Sequence, residues 1–385
     1  MTDGPERFDV IVIGAGIAGA ALACFASQHA RVLLLERESQ PGLHSTGRSA
    51  AMFMESYGPP QVRALTRASR GFFENPPPGF ATTPLVRPRG ALFIGSAAQV
   101  GQVEALYATL NADGCPAHLL DSAAARQRVP VLNASAAALA VLDPSAADVD
   151  VDALHQGFLR SARARGARLV CDAPVSAMSY EAHEWQVQCG TRRWRAPAIV
   201  NAAGAWVDEV ARMAGVPGIG IEARRRSAFV FEPPPDLSSE SWPCVAAVDE
   251  SFYFKPDAGL LLGSPANADP VPPHDVVPEE LDIALAIDRI EAATSLRIRR
   301  PRRSWAGLRC FIADGEIVCG PDPHHPGFFW AAALGGYGIQ TSPALGALGA
   351  ALVTRQALPA WLSGHGIDPQ RMAARAARRT LPHTD

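Results

Sequence analysis

The chain has 385 residues, 48% hydrophobic and 19% charged, enough to bury the cores of two domains. Its net charge of −3 gives no electrostatic case for a nucleic-acid partner. Seven scattered cysteines without a C-x-x-C argue against a disulfide frame or a zinc site, and no apolar run is long enough for an integral membrane segment.

Residues 8–13 form an apolar, β-branched run that ends in Gly14-Ala15-Gly16-Ile17-Ala18-Gly19. A small-residue helical stretch follows, then a second apolar run over 31–35 that ends in Glu36. Strand, glycine turn, helix, strand and acid are the dinucleotide fingerprint in its required context. Gly14 makes the tight turn, Gly16 lets a pyrophosphate approach the backbone, and Gly19 lets helix and strand pack closely. The helix N-terminus offers N–H groups to phosphate, and Glu36 can accept from the adenosine ribose. Because the first strand begins near residue 8, no room is left for a signal peptide, and a cytoplasmic protein is expected.

The next segment, His44-Ser45-Thr46-Gly47-Arg48-Ser49-Ala50, is a hydroxyl- and glycine-rich loop suited to pyrophosphate and isoalloxazine contacts. Residues 151–165 read as an amphipathic helix with Asp150 and Asp152 at its start. A strand over 168–171 comes next. Residues 198–203 form another buried strand, ending at Gly204 before a helix from about Ala205. A third strand over 327–333 leads into Gly335-Gly336-Tyr337-Gly338 and a helix to about Val353. That helix aims its N-terminus at a flavin pyrimidine, where negative charge gathers on reduction.

Recurrence of strand, glycine and helix at separated places predicts a discontinuous cofactor domain over 1–84, 146–223 and 305–385. Residues 85–145 and 224–304, with alternating strands and proline-rich turns, predict a substrate domain built on an antiparallel sheet with helices. A second fingerprint is missing, because Gly215-Val216-Pro217-Gly218-Ile219-Gly220 has the proline and spacing of a loop. One dinucleotide therefore carries the redox chemistry itself.

Rival readings resolve blandly. His324-His325 beside Asp322 reads as a proline-flanked loop. Asp148, Asp150 and Asp152 read as a helix entry, and Arg297 to Arg303 as a solvated face. No metal site is expected.

Five spaced motifs carry a resemblance. They are Gly42-x-His44-Ser45-Thr46-Gly47-Arg48-Ser49-Ala50, Asn201-Ala202-Ala203-Gly204-Ala205-Trp206, Ser251-Phe252-Tyr253-x-Lys255-Pro256-Asp257-Ala258-Gly259, Trp305-Ala306-Gly307-Leu308-Arg309 and Gly335-Gly336-Tyr337-Gly338-Ile339-Gln340-Thr341. From about residue 7 to 365 the chain resembles the FAD-dependent D-amino acid oxidase/glycine oxidase superfamily. Within it the similarity is greatest to the bacterial D-arginine dehydrogenase branch. The resemblance implies an α/β fold: a Rossmann-like FAD-binding domain and a second α+β substrate domain on a mostly antiparallel sheet, as in glutathione-reductase-like proteins. It implies oxidation of a D-amino acid, by hydride transfer from Cα to flavin N5, to an imino acid that hydrolyses to a 2-keto acid and ammonia.

The resemblance also assigns residues. Arg226 and Arg309 match two arginines that grip the substrate carboxylate, and paired guanidinium forks suit that task. Tyr57 and Tyr253 match pocket tyrosines, and Gly336 matches the glycine whose carbonyl accepts from the substrate amine. The expected contacts to noncovalent FAD are Gly14, Gly16, Ile17, Ala18, Gly19, Glu36, Arg37, Ser45, Thr46, Arg48, Ser49, Ala50, Val175, Ala203, Gly204, Trp206, Gly335, Gly336, Gly338, Ile339, Gln340 and Thr341. Cys310, a conceivable flavin tether, is not expected to form one.

Departures from the arginine-specific relatives fall in the side-chain pocket of Ala50, Met52, Met54, Ala91, Cys244 and Ala246. Ala91 stands where those relatives have a glutamate, Met52 where they have a histidine and Met54 where they have a threonine. Cys244 and Ala246 replace larger apolar residues. An unpaired guanidinium there is costly, so the expected substrate is a D-amino acid with a neutral or apolar side chain, or an N-substituted or cyclic amino acid. Sarcosine-type oxidases carry a lysine where Leu261 stands, so the chain is expected to be a dehydrogenase that passes electrons to a quinone or another acceptor. Two further readings are a flavoenzyme acting on a 2-hydroxy acid and a non-catalytic flavoprotein binding module.

Overall fold

A computed structural model describes residues 5–374; segments 1–4 and 375–385 of the expected cofactor unit lie outside the described residues. A six-stranded sheet runs in the order Arg168–Val170, Val32–Leu35, Val10–Ile13, Ala198–Asn201, Phe328–Ala332, Val318–Pro321. Its pairings are parallel except the last, which is antiparallel. The four central strands are apolar nearly throughout because both of their faces are buried. Helices Ile17–Ala26, Val151–Ala164 and Gly338–Thr354 cover one face. Small residues bring the first and last of these together: a Cβ on Gly346 would lie 2.7 Å from the Ala21 Cβ. The antiparallel strands Ala177–Glu181, Glu184–Cys189 and Arg192–Ala196 cover the other face through Trp185 and Trp194.

The glycine turn does what its spacing predicts. Gly14 has φ of 100°, and a Cβ there would sit 2.5 Å from the Ala202 carbonyl oxygen. A Cβ on Gly19 would fall 1.9 Å from the Gly14 carbonyl oxygen, so this helix can approach the turn only without a side chain at that position. The helix expected over 151–165 ends at Ala164, and Asp150 caps it by accepting from the Ala153 amide at 2.9 Å.

The second sheet has nine strands. Its main path is Arg303–Phe311, Glu222–Phe231, Leu260–Ser264, Tyr253–Asp257, Cys244–Ala247, Ala91–Gly95, Leu139–Asp143, His118–Asp121, and Asp269–Pro270 pairs with the remaining end of Glu222–Phe231. Only Cys244–Ala247 and Ala91–Gly95 pair in parallel. One face is a core of Phe229, Phe231, Val245, Phe254 and Leu261 under the helix Glu280–Ala293. The opposite face looks toward the first sheet. The expected domain boundary at residue 305 falls inside a strand: Arg303–Phe311 pairs along Glu222–Val230, so the large sheet claims residues through 311. A small sheet of Met52–Phe53, Ala147–Val149 and Val86–Pro88 bridges the two units. The result is the expected α/β fold with a mostly antiparallel second sheet.

Candidate active site

A cleft of about 610 Å³ lies between the glycine turn and the inward face of the large sheet. Gly14, Gly16, Ile17, Ala18, Glu36, Arg37, Ser45, Thr46, Arg48, Ser49, Ala50, Val175, Ala203, Gly204, Trp206, Gly335, Gly336, Gly338 and Ile339 all line it. Gly19, Gln340 and Thr341 do not. Gly19 serves helix packing. Gln340 is buried, accepting from the Met54 amide at 3.1 Å and donating to the Thr66 hydroxyl at 3.0 Å. Thr341 is buried and donates to the Tyr337 carbonyl at 2.9 Å.

The cleft fits a dinucleotide flavin. Two helices, Ile17–Ala26 and Gly338–Thr354, open onto it, and neither has an acid in its first turn to compete with phosphate. The Glu36 carboxylate braces the turn, accepting from the Ala15 amide at 2.9 Å and the Glu38 amide at 3.0 Å. Thr46 accepts from the Ile17 amide at 3.0 Å. Trp206 packs against both the Arg37 guanidinium and the His44 ring, each at 4.8 Å. His44 donates from Nε2 to Glu38 at 3.0 Å, and its Nδ1, which makes no hydrogen bond, lies 4.0 Å from the Asp275 carboxylate. Burial pushes the Cys310 thiol up to about 12, so it stays protonated in the cleft wall.

At the sheet end of the cleft stand Arg226, Arg309 and Tyr253. Alternation along Glu222–Phe231 sorts the Arg224-Arg225-Arg226 run. Arg225 turns to the outer face and pairs with Asp282 and Glu279, whereas Arg226 turns inward. Arg226 donates to the Asn267 carbonyl at 2.6 Å. Arg309 donates from Nη1 to the Tyr57 hydroxyl at 3.3 Å. Neither guanidinium makes an ion pair among the described residues. Burial, then the charge of Arg309, lowers the Arg226 pKa. Burial also acts to lower Arg309, but Tyr57 and Tyr253 outweigh it and raise the pKa. Gly336 gives Arg309 its place: a Cβ there would lie 2.8 Å from the guanidinium carbon.

Tyr337, between the cleft-lining glycines but not itself in the cleft lining, packs behind the arginine pair. Its ring meets that of Tyr57 edge-on, with centroids 5.0 Å apart. Burial, then Tyr57, pushes its phenol up to about 12, against the opposing charges of Arg309 and Arg226. The flanking glycines were the available signal, since a Cβ on Gly335 would press on this ring at 2.8 Å.

The expected side-chain pocket differs from its forecast. Ala50 lines the cleft, but Met52, Met54, Ala91, Cys244 and Ala246 lie beyond its wall. They are not purely apolar company. Met52 pairs across strands with Asp148, whose carboxylate accepts from Lys255 and Arg89, each at 2.6 Å. No local motif marks this cluster, because its members lie on separate segments.

Leu261 also needs correcting as an indicator of the electron acceptor. It is fully buried in the outer-face core, so a lysine at this position would point away from the cleft.

Residues 9–352 match the DAO family, described as FAD dependent oxidoreductase. The bovine (Bos taurus) FAD-dependent oxidoreductase domain-containing protein 1 is 26% identical over 89% of this chain and 80% of its own length. Glycine oxidase from Geobacillus kaustophilus superposes with a TM-score of 0.83 at 22% identity, covering 96% of this chain and 99% of that one. L-proline dehydrogenase from P. horikoshii superposes at 0.81 and 22% identity, covering 97% of this chain and 100% of that one.

Proposed function

The chain belongs to the DAO family of FAD-dependent oxidoreductases, and from that premise we propose that it oxidises the Cα–N bond of a D-amino acid without a cationic side chain. FAD is its cofactor, held noncovalently, and supplies the two-electron acceptor for the hydride that leaves Cα. The observation that carries the reading is the pair Arg226 and Arg309, inward-facing and without an acidic partner among the described residues. Two adjacent cations repel, and a carboxylate between them removes that repulsion while accepting their parallel N–H bonds.

The remaining roles follow from position. Tyr57 orients Arg309, and Tyr253 closes the same end of the cleft. The Gly336 carbonyl accepts from the substrate amine. No general base is required, because a neutral amine leaves a positioned Cα–H free to depart as hydride. The imino acid product takes up water and releases ammonia and a 2-keto acid. Asp148, beside the expected side-chain residue Met52, is already shared by two cations and offers a cationic side chain no free partner. The side-chain end therefore suits neutral groups.

The amino-acid reading agrees with the glycine and L-proline named in the structural neighbours; the D configuration comes from the motif resemblance. A 2-hydroxy acid is a second reading, because the clamp grips any α-carboxylate, and L-2-hydroxyglutarate dehydrogenase of Escherichia coli is a relative at 24% identity over 59% of this chain and 54% of its own length. An anaerobic screen of flavin bleaching by D-, L- and N-methyl amino acids and 2-hydroxy acids decides. Bleaching by D-amino acids is expected. Bleaching by 2-hydroxy acids alone, or by no carboxylate compound, contradicts the proposal.

A further inference from the structure

The strand Glu222–Phe231 turns Arg226 toward the cleft and its neighbours Arg225 and Ser227 toward the opposite face. Along one edge this strand loses its ladder partner for a few residues. Leu260–Ser264 pairs with it as far as Gly263 opposite Phe229, and Asp269–Pro270 resumes with Asp269 opposite Arg225. Unbroken pairing from Gly263 would set residue 267 opposite Arg225, so the intervening loop carries two extra residues. It bulges from the sheet, with Ala266 at φ of 51°.

Asn267 fills this bulge and reaches both faces of the sheet. Its side-chain carbonyl accepts from the Ser227 amide at 2.8 Å, in place of the missing ladder bond. Its side-chain amide donates to Asp282 at 3.0 Å and to Asp269 at 2.7 Å. Asp282 is buried and also accepts from Arg225 Nε at 3.0 Å and Ser227 Oγ at 2.7 Å, so the anchor is itself fixed. The backbone carbonyl of Asn267 faces the other way and accepts from Arg226 Nε at 2.6 Å. Arg226 makes no other hydrogen bond among the described residues, which leaves Nη1 and Nη2 free to donate.

Arg226 needs such a tether. Arg309 lies close enough for the two charges to oppose each other, and a loose arginine side chain has many rotamers into which to retreat. An acid would hold the guanidinium but would also neutralise it. A neutral carbonyl holds Nε and leaves the positive charge, with Nη1 and Nη2, for a carboxylate. We infer that Asn267 is the positioning residue of the clamp: its side chain, locked to Ser227 and Asp282, aims its backbone carbonyl at Arg226 and fixes that guanidinium beside Arg309. This inference rests on the carboxylate-clamp reading above and adds the device that holds the clamp in shape. The competing explanation is a plug that only closes the gap in the sheet. Such a plug moves stability without changing how a carboxylate binds.

The probe is 4-(methylthio)butanoate, methionine without its amine, which offers the clamp a carboxylate and no amine to oxidise. Its Kd is read from the change in flavin absorbance of the FAD-loaded protein. Steady-state turnover of D-methionine with an artificial acceptor gives KM and kcat separately. Asn267→Ala is expected to raise both Kd and KM about tenfold, the scale of one charge-assisted hydrogen bond, with little change in kcat. In an Arg226→Met background the same substitution lowers kcat/KM no further, because its effect passes through Arg226. Asn267→Ser, too short to span Ser227 and Asp282, serves should Asn267→Ala fail to retain flavin. Unchanged Kd and KM in a variant that retains flavin, an equal loss in the Arg226→Met background, or loss of flavin by both variants overturns the inference while leaving the clamp reading in place. If the native protein neither binds the probe nor is bleached by D-methionine, the underlying reading falls, and this inference with it.

Discussion

At the scale of single residues, the proposed carboxylate clamp turns on Arg309. Its guanidinium lies against Gly336 and donates to Tyr57, so its fork is held before a substrate arrives. Replacing it by methionine removes two charge-assisted bonds. Arg309→Met is expected to lower kcat/KM by roughly a hundredfold or more, at about 1.5–3 kcal/mol per bond. Flavin absorbance checks that the cofactor stays bound, and Arg309→Lys recovers only part of the loss because an ammonium lacks the planar fork. A pH profile adds an independent reading. With no protein base required, kcat/KM rises as the substrate ammonium loses its proton. Burial and Tyr57 put the Tyr337 phenol at about 12, so it stays protonated through that rise. Steady-state rates across pH check this; a fall toward alkaline pH in the region of amine deprotonation contradicts it.

At the scale of elements, the glycine turn was legible because its chemistry is local. Gly14, Gly16 and Gly19 act within one strand–helix corner, and spacing alone locates them. The inward face of the large sheet was harder to read. Residues 259–263 read Gly-Leu-Leu-Leu-Gly, and both Leu261 and Leu262 are buried, so hydrophobicity does not alternate and cannot say which leucine faces the cleft. The Lys255–Asp148–Arg89 cluster was invisible for a related reason, since cross-strand register brings its members together. One helix couples to the turn through His155, which is buried and donates from Nε2 to the Ala15 carbonyl at 2.9 Å. Burial lowers its pKa from 6.5, partly offset by that carbonyl. With the folded value below the unfolded one, the stabilising contribution is complete above about pH 6.5 and is lost as pH falls toward the folded value. Thermal melts of the FAD-loaded protein are expected to show Tm falling below that pH, and His155→Gln is expected to flatten the dependence. An unchanged slope in the variant assigns the loss to other groups.

At the scale of the whole molecule, two sheets meet over one cleft. The first supplies helix N-termini and glycine turns for the cofactor, and the second supplies a pleated face whose inward side chains Arg226, Tyr253 and Arg309 line the cleft. The loop around residues 44–49 joins them: Ser45 donates to the Leu308 carbonyl at 2.6 Å, and Arg48 reaches Ala306, Val276 and Asp275. Cofactor and substrate sites are thus held in one register. The lone lysine is bound to Asp148 one pleat beyond Tyr253, so no unpaired lysine ammonium stands among the described residues to promote oxygen reduction. Reoxidation of the reduced enzyme is therefore expected to be slow in air and fast with a quinone, and stopped-flow absorbance compares the two. The central claim is that the arginine pair holds the α-carboxylate of an amine substrate beside FAD. Anaerobic flavin bleaching by D-methionine, set against the corresponding amine that lacks the carboxylate, tests it directly. Rapid bleaching by the amino acid and none by the decarboxylated amine is predicted; equal bleaching by both contradicts the account.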